Sequence, residues 1–286
     1  MNGHHFLVAA LALAAAGHAD ALPFYGTTAG GQVNVSCLGN RATSDGAFGD
    51  LRNTASIADT MSANCGPTLR PTSSTMQASA STAGTLKAFG SATGDGGTGA
   101  GSFAEMANGI RLFAPPGFNG SSVQVTEQLI VSGSASGKYN GNAYLGAGEA
   151  VNRFFYAIKE ASATFGSSFN PNLTPNFVLS ITFDAPVDAN GQAYFVLEET
   201  IGLGVMPECF GCTSTVDMSH TARAAQILPV GWTFVSDSGD FLVDAAPPPV
   251  PEPATFALMA LGLAGVVSLR RASQKRQARP ARHCAH

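Results

Sequence analysis

The sequence holds no Gly-x-Ser-x-Gly elbow, no glycine-rich phosphate loop and no His-Glu-x-x-His helix. The local signatures of serine hydrolases, nucleotide enzymes and zinc peptidases are therefore missing. Charged residues make up only 12% of the chain, and tryptophan occurs once. Five of the six histidines lie at the ends, His4, His5 and His18 at one and His283 and His286 at the other. Any Ser-His-Asp machinery in between must use His220. Asp217 and Ser219 flank it, but alternate residues of a strand share a face, so both point away from His220 and no triad assembles. A hydrogen-bonding or surface histidine near a turn is the expectation.

Basic clusters are missing from the middle of the chain as well. From residue 22 to 249 there are nine Lys and Arg against seventeen Asp and Glu, a net charge of −8. Phosphate backbones and anionic lipid heads both require clustered cations, so nucleic acid and anionic membrane surfaces are excluded as partners of this part. Its carboxylates form no recognisable catalytic pair. Glu198 and Glu199 are neighbours on opposite faces of a strand, and Asp237 and Asp240 flank a bend, whereas a glycosidase needs two carboxyls roughly 5 to 9 Å apart across a cleft. Asp184 with Asp188 and Asn190, or Asp237 with Asp240, could offer oxygens to calcium, yet neither set matches a twelve-residue loop ending in Glu. Solvated turn residues are expected there, with no catalytic residue, no metal and no cofactor.

What the chain does have lies first at its ends. Phe6 to Ala16 is an apolar stretch of signal-peptide length, and Ala19, Asp20 and Ala21 supply a small-x-small cleavage site. Residues 1–21 are read as a signal peptide, although Met1 to His5 lacks Lys and Arg, and Leu22 as the first mature residue. At the other end Val250, Pro251, Glu252, Pro253 and Ala254 open an uncharged run to Leu269, followed by Arg270 and Arg271. As a helix, residues 254–269 would span roughly 24 Å, just short of a hydrocarbon core of about 30 Å. The prolines keep the preceding segment extended and open to a protease. The tail 270–286 carries Arg270, Arg271, Lys275, Arg276, Arg279 and Arg282 and no acid, which holds it on the cytoplasmic side and the rest outside. Residues 245–253, rich in proline, form a stiff spacer.

These residues, from Val250 to Arg271, resemble the PEP-CTERM sorting signal of Gram-negative bacteria, with the Pro-Glu-Pro triplet, a helix containing Gly262 and Gly265, and an arginine cluster in the expected order. The resemblance implies an exosortase, a membrane-embedded thiol protease, as partner. It would cut near Pro251 to Pro253 after a transient stay in the inner membrane and release or transfer the exported part to the cell surface or outside it.

Cysteine usage fits this topology. Cys37, Cys65, Cys209 and Cys212 lie in the exported part, where disulfides persist, and Cys284 in the cytoplasmic tail. Two bridges are expected; of three pairings the local one, Cys37 with Cys65 and Cys209 with Cys212, is favoured because short loops close more easily. A four-cysteine zinc site and a redox-active Cys-Phe-Gly-Cys are the sharper alternatives, and no helix follows Cys212 to support the second.

Residues 22–244 read as one all-β domain of sandwich type. Val33, Val35 and Cys37 share a face; Val123, Val125, Leu129 and Val131 share another, interrupted by Glu127. Phe177, Leu179, Ile181 and Phe183, then Asp188 to Gly191, then Tyr194 to Leu197, read as a hairpin with an Asn-Gly turn. Thr75 to Phe89 reads as a strand of small residues and Gly94 to Gly101 as a flexible loop. Ala150 to Ala163 reads as a strand, and Trp232 to Val235 turns through Ser238 and Gly239 into Phe241 to Val243. Asp217, Ser219, His220 and Thr221, then Ile227 to Trp232, then Ser236, Ser238 and Gly239, resemble the last strands of a β-rich domain common among PEP-CTERM proteins. The expected function is that of a structural protein of the surface or exopolysaccharide matrix, not an enzyme. A carbohydrate-binding or adhesive module using Tyr139, Tyr144, Tyr156 or Trp232 is the alternative, with Trp232 expected in the core, and a secreted hydrolase is a more distant one.

Overall fold

The computed structural model describes residues 23–242, apart from 48, 66–69, 95–96, 152–153, 168–174, 208 and 210. The signal peptide, the spacer, the apolar run and the basic tail lie outside the described residues. The chain divides into units 1–244 and 245–286, and every described residue belongs to the first.

The described residues form thirteen strands: β1 (Tyr25–Val35), β2 (Gly39–Gly46), β3 (Thr54–Cys65), β4 (Arg70–Ser81), β5 (Thr85–Gly94), β6 (Gly99–Phe113), β7 (Ser122–Ser136), β8 (Tyr139–Val151), β9 (Phe154–Gly166), β10 (Phe177–Pro186), β11 (Gln192–Val205), β12 (Cys212–Ile227) and β13 (Thr233–Ser236). They make two antiparallel sheets. Sheet A runs β2-β1-β6-β11-β8-β9, with β13 also on β6, and sheet B runs β10-β7-β12-β5-β4-β3.

Side-chain alternation explains the two layers. In β7, Val123, Val125, Leu129 and Val131 are buried, and in β11, Ala193, Phe195, Leu197, Ile201, Leu203 and Val205 are buried. These rows pack in one core with Met76, Leu86, Met106, Ile110 and Leu112. Each fully buried Leu, Ile or Met stabilises the fold by about 1.5–3 kcal/mol relative to exposure. Phe183 meets Phe195 edge-on at 5.0 Å, and Phe165 lies 5.5 Å from Phe177, so aromatic rings interlock across the layers.

The β10–β11 hairpin expected from the sequence is not formed. β10 pairs with β7 in sheet B, whereas β11 pairs with β6 and β8 in sheet A. The Asp188–Gly191 turn is present, with Gly191 at φ +74° and its N–H on the Asp188 carbonyl at 3.1 Å, but it carries the chain from one layer to the other. Both arms alternate because each faces the same core, and alternation is blind to which sheet a strand joins.

The small-residue segment is two strands, β4 and β5, because Gly84 adopts φ +86° and turns the chain between them. A Cβ on Gly84 would stand 2.8 Å from that of Ala224, a second reason for glycine there. Gly94 and Gly99–Gly101 belong to β5 and β6, so the loop expected over 94–101 is taken up by strand at both ends. Cys37 lies in the turn after β1 and does not continue its buried face; Phe241 sits in a turn with its side chain in the core.

Disulfides join Cys37 to Cys65 and Cys209 to Cys212. The first closes a separation of 28 residues and ties the β1–β2 turn of sheet A to the end of β3 in sheet B. On the same side Arg41 of β2 forms an exposed ion pair with Asp59 of β3, which solvent screens.

Candidate functional site

The described residues shape a trough on the outer face of sheet A. Antiparallel register lines up cross-strand neighbours in rows. One row runs Ser44, Gly30, Phe103, Gly202, Asn142, Thr164 across β2, β1, β6, β11, β8 and β9. The next runs Ala42, Gln32, Gly101, Gly204, Asn140, Gly166 across the same strands. Glycine at the centre of both rows lowers the floor, leaving a volume of about 730 Å³. A second hollow of about 360 Å³ shares Gln32, Gly101, Asn140 and Leu203 with it and continues toward Asn34, Gly99, Lys138 and Met206.

The glycines set the floor's chemistry. The Phe103 ring lies against Gly30, where a Cβ would collide with it, and Phe103 remains 37% exposed. Cβ atoms on Gly202 and Gly204 would stand 2.6 Å from the Asn142 and Asn140 Oδ1 atoms, so these amides lie over the bare backbone. The floor is a flat aromatic ring beside neutral amides. Among the lining residues, Lys138 at the far end is the one that carries a charge.

Carboxyls border the trough on the other side. The adjoining row contains Thr28, Glu105, Thr200, Tyr144 and Ser162, and the one beyond it Ala107, Glu198, Gly146 and Glu160. Burial pushes Glu198 up to about 7, helped by the charge of Glu105, their hydrogen bond and the charge of Glu160. Burial also raises Glu105, against the lowering effect of that bond. Burial thus favours the protonated form of each. Tyr144 donates to Glu160 Oε2 at 3.2 Å, and its hydroxyl stays protonated because burial and the charges of Glu198 and Glu160 all raise it.

A second carboxyl pair lies in the core. Glu127 of β7 and Glu199 of β11 are fully buried. Gln226 donates to Glu127 Oε1 at 2.6 Å, while Glu127 Oε2, both Glu199 oxygens and Gln226 Oε1 have no hydrogen-bond partner. Burial raises both acids well above the usual carboxylate range, and the charge of Glu127 raises Glu199 further.

The remaining sequence candidates take structural places. Asp217 Oδ1 accepts from Ser219 N at 2.8 Å and from its hydroxyl at 2.5 Å, inside a register shift of β12 that contains His220. Asp188 Oδ1 caps its own turn through the N–H groups of Asn190 and Gln192, both at 2.8 Å. Asp237 and Asp240 are bound to the chain itself, and no group of three or more metal-ligating His, Cys, Asp or Glu occurs among the described residues. The two bridges take up Cys37, Cys65, Cys209 and Cys212 in the local pairing favoured by the sequence, which removes the alternative of a four-thiolate zinc site. Glu198 and Glu199 face opposite sides of β11, in the middle of the strand. Of the aromatic candidates, Tyr139 borders the second hollow, Tyr144 stands in the carboxyl rows, Tyr156 is exposed on edge strand β9, and Trp232 is half-buried edge-on to Phe118 at 5.0 Å. Sequence reasoning missed Gln32, Phe103, Asn140, Asn142 and Thr164. The available signal was the spacing Gly99-x-Gly101 and Gly202-x-Gly204, which strips one face of two paired strands.

Residues 249–272 match the family model of the PEP-CTERM protein-sorting motif. A search of curated proteins returns none similar to the chain.

Proposed function

We propose that this carrier of the PEP-CTERM sorting motif is a structural protein of the cell surface or exopolysaccharide matrix, and not an enzyme. The motif at 249–272 is the observation that carries the reading, because it implies export, passage through the membrane and handling by an exosortase. The exposed trough supplies a face that could meet polysaccharide, which also favours the carbohydrate-binding alternative. Hydrolysis has no observation in its favour, since Glu105, Glu198 and Glu160 stand in rows beside the trough and do not line it.

Processing is tested on Glu252. The intact mass of the surface form is expected to lack the basic tail in the wild type and to retain it in Glu252→Ala; equal masses would show that the motif is not read. Without reductant, the same spectrum should show no free thiol among Cys37, Cys65, Cys209 and Cys212, and four alkylated thiols would overturn the bridges.

A further inference from the structure

We infer that the trough on sheet A is a binding site for an extended, uncharged polysaccharide chain that lies across the strands with a sugar ring stacked on Phe103. This deepens the matrix reading and rests on it for the source of the glycan. The two floor rows cross six strands, five spacings or about 24 Å, which accommodates several linked sugar rings.

The wall chemistry fits a neutral polyol. Gln32, Asn34, Asn140 and Asn142 carry uncharged amides, with one Asn34 N–H engaged by the Gly97 carbonyl at 3.0 Å and Gln32 Oε1 accepting from Asn40 at 3.3 Å, and Ser44 and Thr164 add hydroxyls. Phe103, braced on Gly30, offers a flat apolar face to the C–H side of a sugar ring. Other ligand classes fit less well. A peptide strand needs an open sheet edge, but β6 and β11, which carry the floor glycines, are paired on both sides. Acidic glycans would meet Glu105, Glu198 and Glu160 in the adjoining rows.

Gly101 carries the point furthest. A Cβ there would come no nearer than 3.4 Å to Leu203 O and 3.8 Å to Gln32 Cγ, both ordinary contacts. Its φ is not in the left-handed region that requires glycine. A glycine inside a strand weakens it relative to alanine. Packing and backbone geometry both permit a side chain at 101, and the open floor is what a side chain would destroy.

The test is affinity gel electrophoresis of the full chain at pH 8 against galactomannan, mixed-linkage β-glucan, dextran and alginate. Retardation is expected from at least one of the three neutral polymers and not from alginate. Gly101→Leu, which fills the floor, and Phe103→Ala, which removes the platform, should each weaken retardation at least tenfold while keeping the wild-type circular dichroism spectrum. Should Phe103→Ala unfold, Asn142→Ala takes its place. The inference is overturned if no neutral polymer retards the protein, if alginate binds as well as they do, or if Gly101→Leu binds like the wild type. Matrix association is read separately, by fractionating processed protein with the cell-bound polysaccharide. Equal retention of wild type and Gly101→Leu there would sink the trough alone; loss of the wild type from that fraction would sink the matrix reading.

Discussion

Glu199→Gln is expected to stabilise the fold at pH 8 and to flatten its decline with pH. Glu199 and Glu127 are wholly buried in the shared core, and neither Glu199 oxygen has a hydrogen-bond partner. Burial disfavours the ionised form of each, and the charge of Glu127 adds to this at Glu199. Both acids are therefore held neutral when folded. Neutral carboxyls also cost less to bury with oxygens that have no hydrogen-bond partner than carboxylates would. The sign follows from proton linkage. Below the unfolded carboxyl pKa, near 4.3, both states are protonated and the contribution to stability is complete. As pH rises past that value the unfolded chain loses its protons while the folded one keeps them, so each group subtracts about 1.4 kcal/mol per pH unit until the folded pKa is reached. Glutamine keeps the volume, donates through its amide and does not titrate. Urea unfolding at pH 5, 6.5 and 8 checks this: the wild type should lose stability steeply and the variant much less, and parallel losses would refute the neutral core pair. Glu127→Gln should act in the same direction and retain an acceptor for the Gln226 amide.

Part of this architecture was legible in the residues and part was not. The period-two burial of Leu179 and Ile181 between exposed Val178 and Ser180 is what the sequence pattern of β10 predicts. The partner of β10 was hidden, because side-chain alternation fixes a strand's face and leaves its hydrogen-bonding neighbour open. Small residues concealed the β4–β5 turn. Ala80, Ala88 and Ala92 line the main core and Ala78 packs with Ala29 and Ala55, yet alanine and serine mark neither a strand nor its end. Glu127 was visible as an interruption in an apolar face; that it meets another buried acid depended on the packing of two sheets. The trough was hidden for a related reason, since Gly, Asn and Gln signal turns when read locally and become a floor only when register aligns Gly101 with Gly204 and Gly202 with Asn142. The sorting motif needed no tertiary structure, being a linear signal.

Asp237→Ala is expected to cost about 3 kcal/mol, since hydrogen bonds to a charged group contribute about 1.5–3 kcal/mol each and their stranded partners add to the loss. Asp237 follows β13, and its Oδ2 accepts from the Phe24 N–H at 2.8 Å and the Tyr194 hydroxyl at 2.9 Å. Its carboxylate lies over Gly109, where a Cβ would collide with it, and its own N–H donates to the Gly109 carbonyl at 2.8 Å. Burial and the charge of Asp237 raise the Tyr194 pKa, so the hydroxyl remains a donor throughout the stable range. Next to it the buried Asn108 amide donates to the Thr82 carbonyl at 3.1 Å and to Ser238 Oγ at 2.7 Å. Ser238 and Thr82 hydroxyls both donate to Asp240 Oδ1, at 2.6 and 2.7 Å. The Ser-x-Ser-Gly bend is thus a clasp that fastens the residue before β1, the β4–β5 turn, β6 and β11 to the last described residues, beyond which the chain runs on to the sorting motif. Asp237→Asn keeps one acceptor and should lose less than the alanine variant, and Tyr194→Phe should lose only its own bond. Thermal and urea unfolding of the three variants separates these contributions. If Asp237→Ala unfolded with the wild-type midpoint, the bend would be decoration on the sandwich and the two ends of the domain would be held by the core alone.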